Sequence, residues 1–388
     1  MTQQSKIDEL QASLARFRGY LAQDPKNLNL CYEIIDVQTR LGEYQPARAE
    51  ISTALKIFPN DAGLRFRLAT LDIASGQSAD AAHTLRAMQS EGIDNSVIRY
   101  NLGYALMLQG DYESAKAVFE TIPLDDPQAP RVRVMLARCL HHLDEMEKGI
   151  ELIRDFVASH TQDADALGVL ALMEWDEGHN AEAVAAAKRA LESDPNNIEA
   201  GIVMGTHALD EQNIEEAKAD FNRVIQRHKN NGRAWSGLGL AHMADIDLAN
   251  AMPALQNATE YMPDHIGTWH ALAWCQIVQG DLAGARKNLE AGLALNRNFS
   301  ESHGGLAVIA AMEQRYDDAE PLIRRALRLD PNSFSGRFAQ SLVMNRTDPE
   351  NAAKMIRDIL DSKASAMSSQ TLNQSLQKSM VRLKKHRH

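Results

Sequence analysis

Residues 164–197 read ADALGVLALMEWDEGHNAEAVAAAKRALESDPNN, and this stretch decides the architecture. Leu167, Leu170, Ala171 and Glu174 follow an i, i+3, i+4, i+7 spacing, which predicts a first helix with Leu167, Leu170 and Ala171 in an apolar stripe. Gly178 supplies the positive φ that ends that helix and turns the chain back. Ala183, Ala187, Ala190 and Leu191 then line one face of a second helix. Asp194-Pro195 stops it, because proline disfavours the helical conformation in the residue before it. A helix pair this short cannot bury enough surface alone and has to stack on neighbours.

The same unit recurs along the chain. Pro25, Pro59, Pro127, Pro195, Pro263 and Pro331 are separated by 34 residues or by 68, and Gly42, Gly76, Gly110, Gly178 and Gly280 differ by multiples of 34. A small residue keeps the same interval at Ala47, Ala81, Ala115, Gly149, Ala183, Ala217, Ala251, Ala285, Ala319 and Ala353, where two helix backbones approach closely. No insertion or deletion interrupts the count from residue 28 to about residue 363. The length of 388 residues would suggest two or three domains of about 150 residues. The repeat overrides that prior and predicts an all-α solenoid. The expected organisation is an N-terminal capping helix in 1–27, an array in 28–363 and a tail in 364–388. Repeats begin at residues 28, 62, 96, 130, 164, 198, 232, 266, 300 and 334, the last one degenerate, with Asn345-Arg346-Thr347-Asp348-Pro349 in place of the usual turn. Phe17, Tyr20 and Pro25 put residues 5–23 in register as a lone second helix that caps the open end.

Residues 232–265 carry Trp235, Leu238, Gly239, Ala251, Leu255 and Pro263; residues 96–129 carry Leu102, Gly103, Ala115, Phe119 and Pro127; residues 266–299 carry Trp269, Leu272, Ala273, Gly280 and Ala285. These residues resemble the tetratricopeptide repeat family, whose 34-residue unit has a W-x2-L-G-x2-Y, A-x3-F, P pattern. The resemblance covers about nine-tenths of the chain. It implies a right-handed superhelix of about ten helix-turn-helix repeats, with first helices lining the concave side. For function it is far less specific.

On that reading, positions 2, 5, 6, 9, 12 and 13 of each repeat face a groove. The candidate protein-binding residues are Tyr100, Asn101, Tyr104, Met107, Arg131, Arg138, Trp175, His270, Trp274 and Phe338. Val134, Met135, Leu172, Ile277, Val308 and Met312 fall at the same positions, so the groove is expected to be largely apolar with few charges. Such a surface suits an amphipathic helix or an apolar extended segment held by aromatic and methionine contacts. The alternative is that these side chains pack against the adjacent repeat or support self-association as a homodimer. The carboxylate clamp of chaperone cofactors is not matched, because positions 5 and 9 hold Tyr32/Asp36, Phe66/Thr70, Tyr100/Tyr104 and Val134/Arg138. The asparagine ladder of O-GlcNAc transferase arms needs asparagine repeatedly at position 6, and Asn101 alone complies.

Composition narrows the function classes. A net charge of −11 with 24% charged residues argues for a soluble folded protein and against a nucleic-acid partner recruited by overall charge. Cys31, Cys139 and Cys275 form neither a CxxC pair nor a disulfide framework. There is no 18-residue apolar run, and the N-terminal MTQQSKIDELQASLARF has no apolar signal core, so a cytoplasmic location is the expectation. Cys139, His141 and His142 share a helix, but adjacent histidines point about 100° apart and lack a further ligand, and His265 and His270 are read as groove or packing residues. No phosphate loop occurs, and no acid, base and orienting group assemble. Neither enzyme activity, cofactor nor metal is expected.

The tail, ASAMSSQTLNQSLQKSMVRLKKHRH, has no acidic residue and five basic ones, Lys378, Arg382, Lys384, Lys385 and Arg387, leaving residues 1–363 at −16. Leu372, Leu376, Met380 and Leu383 fall at i, i+4, i+8 and i+11, so it reads as a basic amphipathic helix or a disordered end. It would cap the acidic array, touch a partner, or meet anionic lipid or nucleic acid; membrane contact is expected through this tail or not at all. The resulting expectation is a non-enzymatic scaffold or chaperone-like adaptor, and the resemblance implies work in assembling a flagellum, pilus or secretion system. A regulatory peptide-sensing protein and a non-catalytic subunit of an envelope polysaccharide or lipid pathway are the alternatives.

Overall fold

The computed structural model describes residues 3–361, and among these the regular elements are all helices. The tail at 364–388 lies outside the described residues. Two compact units divide the chain, the first ending at Thr161 and the second starting at Gln162. The first unit holds α1 (Gln3–Gln23), α2 (Leu28–Arg40), α3 (Tyr44–Ile57), α4 (Ala62–Ala74), α5 (Ser78–Ser90), α6 (Ser96–Leu108), α7 (Tyr112–Phe119), α8 (Val132–His142) and α9 (Met146–Ser159). The second begins with α10 (Ala164–Asp176), α11 (Asn180–Ser193), α12 (Ile198–Asp210), α13 (Ile214–Arg227), α14 (Gly232–Ala244) and α15 (Leu248–Tyr261). It continues with α16 (Ile266–Gln279), α17 (Leu282–Leu295), α18 (Ser300–Met312), α19 (Tyr316–Leu329), α20 (Phe334–Met344) and α21 (Pro349–Leu360).

Within each unit, helices alternate as pairs, each packing on its sequence neighbours. The small residue of each second helix, from Ala47 through Ala319, is buried against a first helix. At the start of the chain, α1 lays Leu10, Leu14, Phe17 and Leu21 on Ile34 and Val37 of α2.

The turn between the two helices of a pair needs a left-handed residue, and the backbone supplies one every 34 residues whether or not glycine is present. Gly42, Gly76, Gly110, Gly178 and Gly280 fill it, but so do Asp144 (φ 61°), Gln212 (φ 61°), Ile246 (φ 58°) and Gln314 (φ 61°). Ile246 is the most strained of these, because a β-branched side chain clashes with its own backbone at positive φ. Since Ile246 is also exposed, Ile246→Gly is expected to raise stability by about 1 kcal/mol, read from a urea melt; no gain would mean that the strain has been relaxed locally.

Two departures from strict periodicity have identifiable causes. Helix α7 stops at Phe119 because Pro123 can donate no backbone hydrogen bond where its neighbours' second helices continue. The chain then turns through Pro127 and Pro130, and α8 starts only at Val132, leaving Arg131 as its N-cap residue. At the other end, Asp348 has φ −146° and caps a helix whose first residue is Pro349, so α21 starts one residue early. Ala352, not the expected Ala353, therefore takes the buried small-residue position, and Ala353 is exposed.

Candidate protein-binding cleft

In the second unit, α10, α12 and α14 each begin on a side-chain cap. Oδ1 of Asp163 accepts from the N–H of Ala166 (3.0 Å), that of Asn197 from Ala200 (2.9 Å) and that of Asn231 from Ala234 (2.8 Å). The three helices pack side by side because glycines keep them thin. A Cβ on Gly205 or Gly237 would strike the ring of Phe221, which rises from α13 beneath them, and one on Gly168 would strike Asn197. Their shared face encloses a cleft of about 200 Å³. Leu172, Trp175 and Asp176 line it from α10, Ile202, Thr206 and Leu209 from α12, and Arg233, Ser236, Gly237 and Leu240 from α14. Phe221 is part of the lining, and Met262 and His265 contribute from the connection before α16.

The cleft is apolar inside, with polar groups that are already paired. Trp175 is only 7% exposed and meets His207 edge-on at 6.1 Å, whereas Leu240 is 40% exposed. Nη2 of Arg233 donates to both carboxylate oxygens of Asp176 at 2.9 Å, tying α14 to α10 across α12. Nδ1 of His265 accepts from the backbone N–H of Thr268 (3.2 Å), so the ring is neutral; burial and the nearby Arg233 cation push its pKa below the usual histidine value.

Three other expected residues, His270, Trp274 and Phe338, come together elsewhere in this unit, on α16 and α20. The ring of Trp274 lies 5.9 Å from Phe338 and 5.4 Å from Phe334, and His270 lies 5.9 Å from Phe299. Nε1–H of Trp274 donates to Nε2 of His270 at 2.9 Å, and burial pushes that imidazole down to about 4, so it stays neutral with its proton on Nδ1. Glu301 of α18, whose carboxylate is 3.8 Å from the same ring, accepts from both N–H (2.9 Å) and Oγ–H (2.5 Å) of Ser335 at the start of α20. These rings pack on one another as a joint between first helices, with Phe334 still 37% exposed.

In the first unit, Tyr100 tilts onto Phe119 at 5.9 Å, and Nδ2 of Asn101 donates to the carbonyl of Val97 one turn back. Tyr104 and Met107 are half-buried on α6, and Arg138 is half-buried on α8. The equivalent face of α2 and α4 is polar, contrary to the expectation of few charges. Arg67 lies over the ring of Tyr32 at 3.9 Å and donates to Asp36 from Nε (2.8 Å) and Nη2 (2.7 Å), while Tyr32 donates to Asp61 at 2.5 Å. Burial, reinforced by Asp61, pushes the Tyr32 phenol up to about 12. Val134, Met135, Ile277 and Val308, expected on the groove, are core residues. Of the ten candidate binding residues Trp175 lines the cleft, joined by Leu172, expected at a groove position, and by His265, read as a groove or packing residue. Asp176, Thr206, Arg233 and Leu240 were not singled out, although position counting puts them on the same face.

Among the described residues there is no cluster of three or more His, Cys, Asp or Glu side chains placed to share a metal ion, and no helix is long and apolar enough to cross a membrane. A family profile described as tetratricopeptide repeat matches residues 72–133, 174–241, 242–309 and 278–340, and a second profile of the same description matches 147–198. The chain is 21% identical over 248 residues to anaphase-promoting complex subunit 3 of Schizosaccharomyces pombe, covering 63% of this chain and 37% of that protein. It is 27% identical over 154 residues to tetratricopeptide repeat protein 8 of Caenorhabditis elegans, covering 39% and 29%. The chain thus spans about a third of the length of the curated relatives it matches. Among solved structures, the human IFIT1 dimer with m7Gppp-AAAA superposes with a TM-score of 0.54 at 16% identity, covering 92% of this chain and 95% of that one, which shows a shared fold.

Proposed function

The chain belongs to the tetratricopeptide repeat family, and we propose that it is a non-catalytic protein-interaction scaffold that receives an apolar segment of a partner in the α10–α12–α14 cleft. The observation that carries this reading is the pairing of a preformed apolar cleft with an exposed apolar lip at Leu240. An entering side chain displaces water from Leu209, Leu240 and the accessible edge of Trp175, and fully burying a Leu- or Phe-sized group contributes about 1.5–3 kcal/mol. The Arg233–Asp176 pair gives nearby polar groups of the segment a donor and an acceptor without leaving a bare charge in the cleft. A chaperone-like adaptor for a client of a flagellum, pilus or secretion system is the finer form of this role; such variants differ in the client and share the cleft.

The test uses 12-residue peptides selected by phage display against the full chain. Leu240→Asp is expected to weaken the selected peptides by about tenfold or more while leaving the helical spectrum unchanged, since Leu240 is surface-exposed. Equal affinity for the two proteins would sink the reading.

A further inference from the structure

We propose that, in the resting chain, the α10–α12–α14 cleft is filled by the chain's own C-terminal segment, residues 364–388, which an incoming partner has to displace. This rests on the reading of the cleft as a segment-binding site and names its first occupant.

Charge makes the selection. Residues 162–244, which build α10 to α14, carry fourteen acidic residues against seven basic ones, a local net charge of −7, and up to residue 216 the basic ones are Lys188 and Arg189 alone. Asp176 lines the cleft, and Glu177 and Glu211, just past the ends of α10 and α12, are exposed. The cationic lining residue Arg233 is already bonded to Asp176, and His265 is neutral. An anionic segment would therefore meet a repulsive surround and an occupied arginine. An apolar segment with flanking cations meets apolar walls inside an acidic field.

The chain contains a segment of that description. Residues 364–388 have five basic residues and no acidic one, with Leu372, Leu376, Met380 and Leu383 spaced for a single face. Reach is sufficient. From α20, which packs on the last helix α21, to α14 there are three steps between packed first helices, about 30 Å at about 10 Å each. Residues 362–371, ahead of the apolar stripe, extend to about 33–36 Å. Tethering gives such a segment a local concentration on the order of millimolar, so even a weak internal contact lowers the apparent affinity of an outside ligand.

The experiment keeps the full chain and disables the segment with the double substitution Leu376→Asp, Met380→Asp. A labelled synthetic peptide of residues 364–388 is expected to bind this variant one to one, and to bind wild type about tenfold or more weakly because its own segment competes. Adding Leu240→Asp to the double variant should weaken the peptide about tenfold again, and raising NaCl from about 0.05 to about 0.5 M should weaken it severalfold. Should Leu240→Asp reduce helicity, Thr206→Lys on the middle helix α12 takes its place. No binding to the double variant, equal binding to it and to wild type, indifference to the cleft substitution, or indifference to salt would each overturn the proposal. A wild type that is dimeric only with an intact tail would place the segment in a second copy, which also overturns it. If phage-selected peptides still need Leu240 on the double variant while the 364–388 peptide does not bind, the cleft reading stands and this inference fails. If neither kind of peptide responds to Leu240→Asp, the cleft reading itself falls.

Discussion

Phe221→Ala is expected to destabilise the second unit by about 3–5 kcal/mol, the range for deleting a buried ring. Phe221 is 1% exposed on α13, and its ring sits in a socket made by glycines. A Cβ on Gly205 would come within 2.9 Å of the ring, and one on Gly237 within 2.3 Å. Two neighbouring first helices thus close over one side chain, and neither has a side chain at that point that could swing in to refill the space. The cavity should therefore persist, which places the loss toward the upper part of the range. Phe221 also lines the cleft, so the variant should bind the selected peptides more weakly even under conditions where it stays folded. Urea unfolding followed by helical signal is the measurement, and in a stacked array the loss should concentrate in the interfaces that α13 makes. A loss below about 1.5 kcal/mol would mean that α12 and α14 collapse onto the vacated site, against the geometry described.

The parts of this fold that were legible in the sequence are those set within one helix pair. Apolar spacing, a turn glycine, a small residue such as Ala183 and a stop such as Asp194-Pro195 all act locally, so 34-residue arithmetic recovers them. The left-handed turns at Asp144, Gln212, Ile246 and Gln314 show in the 34-residue count from the turn glycines and not in residue type, because packing of the flanking helices imposes the conformation on whatever residue is there. The one-residue advance at Ala352 was written in Pro349, and the early end of α7 in Pro123, but periodicity alone masked both. The cleft was legible through Leu172, Trp175 and His265. Its Arg233–Asp176 link joins residues 57 apart, a contact set by how three first helices lie side by side. Aromatic content pointed instead to Tyr100, which packs on Phe119 of the next helix, and to Trp274, whose rings pack on one another. Composition cannot distinguish a ring held by neighbouring rings from a ring offered to a ligand.

Gly304→Val is expected to cost about 3 kcal/mol, the upper end of ordinary overpacking, because the obstacle is backbone. A Cβ on Gly304 of α18 would lie 2.4 Å from the amide nitrogen of Gly336 and 2.6 Å from the carbonyl carbon of Ser335, both on α20. A flexible side chain could move aside; two main chains cannot separate there without breaking other contacts. Separation would pull Ser335 off the Glu301 carboxylate that accepts from its N–H and hydroxyl, and would move Phe334 and Phe338 away from Trp274. Helix propensity offsets at most about 0.5 kcal/mol of this, since valine is only slightly better than glycine in a helix. Gly336 of α20 provides the contrast, facing α19. Its added Cβ would meet Ala326 Cβ and Leu327 Cδ2 of α19 at 3.1 and 3.2 Å and Ser333 Oγ at 3.2 Å, none of them main chain, so a shift of a few tenths of an ångström accommodates it. Gly336→Ala should therefore cost no more than about 1 kcal/mol. Near-UV circular dichroism separates the two outcomes from a general loss of structure: Gly304→Val should lose the Trp274 aromatic signal at a denaturant concentration where Gly336→Ala retains it. Equal losses in both variants would show that α20 moves freely on α18, and the joint would then be a loose contact.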